Sequence, residues 1–208
     1  MRQYLPPYAR TIPSQAKRVF EGVMFDVYQW PQTMFDGSTA TFEMAKRPDT
    51  VEVLCLVDDK LLVLHQQQPG SALYYDLPSG AHDIELETEL EAAQREVTEE
   101  TGWSFANWRL IECRQKDFRI ERLVYTFLAW APTQYTQPQL DNGEKIEVKP
   151  MTLQQAKALI DASGPRSQEY DFLAARFWYH LNSFQKLLDL PDLTVQARTT
   201  VKNRMASQ

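Results

Sequence analysis

Between Ala81 and Gly102 the chain carries eight carboxylates and a single base, Arg95, while the rest of the sequence holds 20 acids and 21 bases. The protein is therefore close to neutral apart from one dense acidic run, and like charges packed this closely repel unless something compensates them. The second half of the run has the pattern of a helix. Thr88-x-x-Glu91 forms a capping box, and Gly102 stands where a helix end takes a positive φ. Leu90, Ala93, Val97 and Thr101 recur at spacings of three and four, which makes one apolar stripe. Glu96, Glu99 and Glu100 then project from neighbouring positions on one side, with Arg95 four residues before Glu99 and in reach of it. Charge composition alone fits a solvated acidic face. Three carboxylates on one rigid element also make a hard-oxygen site for Mg²⁺ or Mn²⁺, ions that keep water and accept phosphate oxygens.

The remaining composition narrows the field. The 208 residues, 43% of them hydrophobic, suffice for one core, or one core with a small appended sheet. A net charge of −6 argues against an extended nucleic-acid surface, yet it leaves room for a small anion, because a bound cation inverts the local charge. Cys55 and Cys113 lie in apolar stretches and read as reduced core thiols. The first fifteen residues lack an apolar segment and contain Pro6, Pro7 and Pro13, unlike a signal peptide. No run approaches the ~20 apolar residues that span a bilayer. A cytoplasmic protein with neither nucleic-acid nor membrane partner is the expectation.

Residues 17–30, 39–46 and 50–58 are rich in Val, Phe, Tyr and Thr and read as strands, with a turn near Asp36-Gly37. Leu61–His65 and Tyr74–Leu77 follow as short strands, the second ending at Pro78-Ser79-Gly80. After the helix Glu89–Thr101, strands are expected at Trp108–Cys113, Leu123–Trp130 and Lys145–Val148. Thr152–Ile160 and Tyr170–Leu188 have helical periodicity, and the tail after Pro191 is polar.

Arg95-Glu96-Val97-Thr98-Glu99-Glu100-Thr101-Gly102-Trp103 resembles the second half of the Nudix box, G-x5-E-x7-R-E-U-x-E-E-x-G-U with U a bulky apolar residue. Glu87 stands eight before Arg95, as that motif requires. The box glycine should fall at position 81, which is Ala81; Gly80 comes one residue too early, so the loop carries a one-residue insertion. The resemblance implies an α/β fold, a Nudix-type α/β/α sandwich with a mixed sheet. It implies that Glu96, Glu99 and Glu100 bind the metal ions, that the backbone carbonyl near Ser79 adds a ligand, and that Arg95 and Glu87 hold the box together through ion pairs.

About eighty residues precede the box. With the stretch Thr41-Phe42-Glu43-Met44-Ala45-Lys46-Arg47 they look like the ADP-ribose and nucleoside-diphosphate-sugar pyrophosphatases of that family. This resemblance implies an additional N-terminal antiparallel β-sheet over 1–48 that joins two subunits in a homodimer, a Nudix domain over 49–190, and a C-terminal tail over 191–208. It also implies Phe42 stacked on the base of the nucleotide and Arg47 in contact with substrate. For Phe42 a buried strand position is the plainer alternative, and for Arg47 a surface ion pair. Two departures bear on the substrate. Gln66-Gln67-Gln68 stands where the subgroup usually carries an Arg, and amides cannot form its charge-assisted fork with phosphate. Residues 115–123 lack the proline typical of ADP-ribose-specific members. The implied reaction is hydrolysis of a diphosphate linkage in a nucleoside diphosphate derivative, ADP-ribose or another nucleotide sugar. Glu144, in the turn Asp141-Asn142-Gly143-Glu144, is the first choice for the general base, Glu100 the alternative, and Glu99 assists through the metal. Competing readings are a nucleoside triphosphate pyrophosphohydrolase, a nucleotide-binding Nudix-fold domain without catalysis, and an isomerase on a related scaffold.

Overall fold

The computed structural model describes residues 2–163 and 183–194. Two mixed sheets organise it. The smaller contains β1 (Lys17–Glu21), β2 (Asp26–Thr33), β3 (Thr39–Lys46) and the two-residue β9 (Ile120–Glu121), in that order. The larger runs β11 (Lys145–Met151), β5 (Lys60–Gln67), β4 (Asp49–Val57), β10 (Leu123–Tyr135), β8 (Trp103–Gln115), with β6 (Tyr74–Asp76) paired to β5 and β7 (Ser79–His82) paired to β4. The β4–β10 pair is parallel and the other pairs of this sheet are antiparallel.

Helix α1 (Glu89–Thr101) covers one face of the larger sheet. Ala92, Ala93 and Val97 pack there on Val51, Val53, Cys55, Tyr125 and Phe127. On the other face Leu54, Val63 and Leu128 meet Ala156 of α2 (Leu153–Ser163) and Leu187 of α3 (Gln185–Leu188). The alternation along β4 and β10 sends successive side chains into the two cores, so both faces must be covered, and the result is an α/β/α sandwich. Each fully buried aliphatic side chain contributes about 1.5–3 kcal/mol to this packing. None of the described helices is long and apolar enough to cross a membrane, a statement that does not bear on strands.

Several expectations need correction. Residues 17–30 are not one strand: Gly22 turns the chain between β1 and β2, and a Cβ there would lie 2.5 Å from the Phe25 carbonyl oxygen. Pro78-Ser79-Gly80 does not end the strand region; Ser79–His82 pairs with Asp49–Glu52. β8 and β10 extend well past their expected ends because they pair along their whole length, accommodating Pro132 at an irregularity of register. The N-terminal sheet is antiparallel except where β9 joins β3 in parallel. The apolar stripe of α1 is shifted: Ala92 is buried, Leu90 only partly, and the polar Glu89 and Glu100 are buried as well. Of the helix expected over Tyr170–Leu188, residues 170–182 lie outside the described residues.

Residues 2–12 form a strap across the sandwich. Arg2 donates to Asp49 at 2.6 and 2.9 Å and to Glu121 at 2.9 Å, and the Gln3 amide donates to Glu89 at 2.7 Å. Farther along, Arg10 exchanges two backbone hydrogen bonds with the Gln115 side chain, and the Ile12 amide donates to Glu121. Asp49, Glu89, Gln115 and Glu121 are all buried, and the strap supplies partners to each.

Candidate active site

The ends of α1 are fixed locally. Thr88 accepts from the Glu91 amide and Glu91 from the Thr88 amide, completing the capping box. Gly102 adopts φ 75° and donates to the Thr98 carbonyl; a Cβ there would lie 2.0 Å from the Thr136 carbonyl oxygen. The helix end is tied to the chain after β10, whose Thr136 and Gln139 amides donate to the Gly102 and Glu99 carbonyls at 2.8 Å each.

Arg95 is the hub of the acidic segment. Its guanidinium meets Glu87 at 2.9 and 3.2 Å, the Ala81 carbonyl at 3.0 Å, Glu96 at 2.7 Å and Glu99 at 3.3 Å. Loop and helix are so cross-linked by one planar fork, a role to which Arg is better suited than Lys. Glu100 is only 4% exposed and accepts from the Ser79 amide at 2.8 Å. Burial pushes its carboxyl well above the ordinary range, and the negative charges of Glu96, Glu144 and Asp76 push the same way against that hydrogen bond. Burial raises Glu96 also, against the pull of Arg95, with Glu99 and Glu144 adding to the rise.

Gly80 carries a role that its offset position in the motif concealed. A Cβ on Gly80 would lie 1.9 Å from Glu96 Cδ and 2.1 and 2.2 Å from the two carboxylate oxygens. The Glu96 carboxylate thus rests directly on the Gly80 backbone. The extra residue falls later, where Ile84, Glu85 and Leu86 are exposed and Leu86 takes φ 67°. The loop bulges outward there, and both its anchors stay in place.

Among the described residues no three His, Cys, Asp or Glu side chains stand together as a ready ion site. Glu96 and Glu99 hold Arg95, while Glu100 is turned under Ser79. To hold an ion jointly, Glu96 and Glu99 would exchange Arg95 for it. The donor set nevertheless suits a hard divalent cation. Glu100 is buried and Glu96 largely so; Glu96 raises Glu100, both lie within the field of Glu144, and positive charge would relieve them.

Other singled-out residues fall around this cluster. Glu144 closes the Asp141–Glu144 turn at a cleft of about 300 Å³ shared with Gln67 and Gln68, and its charge reaches Tyr74, Glu96 and Glu100. Ser79 sits beside Glu100 and uses its amide on it. Phe42, on β3, is 42% exposed with its ring tilted on Trp30, so it is not a buried strand residue. Arg47 forms no ion pair among the described residues; its guanidinium lies over Phe25, and the residue also lines a cavity of about 590 Å³ that reaches Glu87. Asp76 is the acid that sequence reasoning missed, because only the β5–β6 pairing brings it to Glu100.

The Nudix domain family matches residues 46–185, about two thirds of the chain. The chain belongs to the Nudix hydrolase family. It is similar to an ADP-ribose pyrophosphatase of Bacillus subtilis (strain 168), 27% identical over 151 residues that span 70% of this chain and 80% of the relative. Its fold is like that in a crystal structure of an ADP compounds hydrolase, with a TM-score of 0.63 and 19% identity over 79% of this chain and 89% of the other. The Nudix segment holds the whole of α1 and the larger sheet, and begins at Lys46, the last residue of β3.

Proposed function

We propose that this Nudix hydrolase cleaves the diphosphate linkage of a nucleoside diphosphate derivative, ADP-ribose or another nucleotide sugar, giving a nucleoside monophosphate and a sugar phosphate. The carboxylates of Glu96 and the buried Glu100, set against Gly80 and the Ser79 amide, carry this reading. Glu96, Glu99 and Glu100, with the backbone near Ser79, would hold Mg²⁺ or Mn²⁺, which supplies positive charge for the phosphate oxygens. Glu144 takes the proton of the attacking water; its charge acting on both Glu96 and Glu100 supports this role. Arg95, tied to Glu87, keeps loop and helix in register. Phe42 offers an exposed ring to a base, and Arg47 lines the cavity. The sheet of residues 1–48 leaves β1 as an open edge with Val19 and Phe20 exposed, which suits pairing of two copies into a homodimer.

The deciding experiment incubates the protein with nucleotide sugars, dinucleotides and triphosphates, with and without Mg²⁺ or Mn²⁺, and identifies products by mass. ADP-ribose should yield AMP and ribose 5-phosphate in a metal-dependent way. Failure to cleave any diphosphate derivative with either ion overturns the proposal. Light scattering after gel filtration tests the dimer.

A further inference from the structure

Two part-buried arginines at the β3–β9 edge lack a charged partner among the described residues. The Nε of Arg47 is the one buried side-chain nitrogen or oxygen among the described residues without a hydrogen-bond partner. Arg122, between β9 and β10, spends both Nε and Nη2 on a single neutral acceptor, Thr50 Oγ1, at 3.0 and 2.7 Å. Neither forms an ion pair among the described residues. The acids whose charge reaches Arg122 are engaged already, Asp49 by Arg2 and Glu52 by Arg114. Burial makes the Arg122 charge harder to hold, and the Arg47 charge does so further. Two part-buried cations set within each other's field, with donors pointing at nothing or doubled on one hydroxyl, are costly unless an anion sits between them.

We infer that Arg47 and Arg122 together form an oxyanion site of the phosphate class at the β3–β4 junction. The parallel pairing of β3 with β9 sets Arg47 beside Arg122: Lys46 stands opposite Glu121, and the Arg47 amide donates to the Glu121 carbonyl at 3.4 Å. Thr50 pairs with Ala81, one register step from the Val51–Gly80 pair on which Glu96 rests. Because side chains alternate along β4, Thr50 and Arg122 stand on the sheet face away from α1, and the Arg site flanks the carboxylates across β4 and β7. A planar guanidinium fork suits phosphate oxygens better than any neutral group does. The phosphate is either that of the substrate, which rests on the proposed function, or free inorganic phosphate.

Thermal unfolding in EDTA, with chloride replaced by inorganic phosphate at fixed ionic strength, reads this site without turnover. The wild-type midpoint should rise with the logarithm of phosphate concentration once that exceeds the dissociation constant. Arg122→Gln and Arg47→Gln should need about tenfold more phosphate for the same rise, while Arg119→Gln, on an exposed turn, behaves as wild type. Without phosphate, Arg122→Gln should unfold no earlier than wild type, since it removes a charge that Arg47 repels. Arg122→Lys keeps the charge and loses the fork, and an intermediate phosphate requirement is expected. No rise in the wild type, four identical titrations, or an early-unfolding Arg122→Gln in phosphate-free buffer would overturn the site. With Mg²⁺ and a nucleotide sugar, a raised KM at nearly constant kcat in Arg122→Gln assigns the phosphate to the substrate; an unchanged KM beside weakened phosphate binding assigns it to free phosphate. If the wild type hydrolyses nothing, the proposed function fails, and the EDTA titration still decides the Arg site.

Discussion

Replacing Gly80 with Ala should separate catalysis from folding. The new methyl would begin 1.9 Å from Glu96 Cδ, against an ordinary carbon contact near 3.5 Å, so the carboxylate must retreat by about 1.5 Å. Mg²⁺ holds oxygens at about 2.0–2.1 Å in a nearly rigid octahedron, so a ligand displaced that far is lost from the shell. A misplacement of about 1 Å in a reacting constellation costs on the order of 100-fold. Stability should scarcely change. Gly80 is not among the positive-φ glycines, so alanine suits its backbone and gains about 0.4–1 kcal/mol through the unfolded chain. The strained Glu96 rotamer costs about 0.5–1.5 kcal/mol in return. The expected outcome is a fall of about 100-fold or more in kcat/KM, a higher Mg²⁺ requirement, and a urea midpoint close to wild type. A Gly80→Ala protein with kcat/KM within about threefold of wild type and the same Mg²⁺ response would refute the idea that Glu96 is a ligand cradled by Gly80.

Glu100→Gln should lower turnover by orders of magnitude and leave the protein at least as stable, because it removes a buried charge facing Glu96, Glu144 and Asp76. The pH dependence follows from the same group. Its folded pKa lies above its unfolded one, so its contribution is fully present below the unfolded value and is lost as pH rises through the folded value. In EDTA the wild-type melting temperature should therefore fall over that window relative to Glu100→Gln, and parallel curves would count against the assignment. Arg2→Ala should cost about 2–3 kcal/mol in urea unfolding, since it leaves buried Asp49 and Glu121 without their shared cation; a loss below about 0.5 kcal/mol would mean the strap carries little.

The helix was the most legible part of the sequence, because its caps and its carboxylate spacing are local properties. The sandwich was legible only through the resemblance carried by residues 95–103; the alternation along β4 and β10, which needs cover on both faces, gained its meaning from the sheet order. Ser79–His82 was hidden because Pro78, Ser79 and Gly80 are turn formers, and only the pairing with β4 makes them a strand. The break at Gly22 was hidden because Val23, Met24 and Phe25 continue a strand-like composition through a turn. The strap escaped notice since a proline-rich start has no period; its order comes from side-chain acceptors some fifty to a hundred residues away. Arg122 gave no local signal either, because what marks it is the engagement of its neighbours elsewhere.

The bulge at Leu86 says something about how such a site can change over evolutionary time. Gly80 answers to Glu96, and Glu87 answers to Arg95, so each end of the loop is clamped by α1 and neither depends on the number of residues strung between them. Lengthening or shortening that stretch alters its outline against solvent while the clamps hold. A descendant could thus remodel the rim beside the cavity by insertion or deletion, trying new ligand shapes without disturbing the carboxylates.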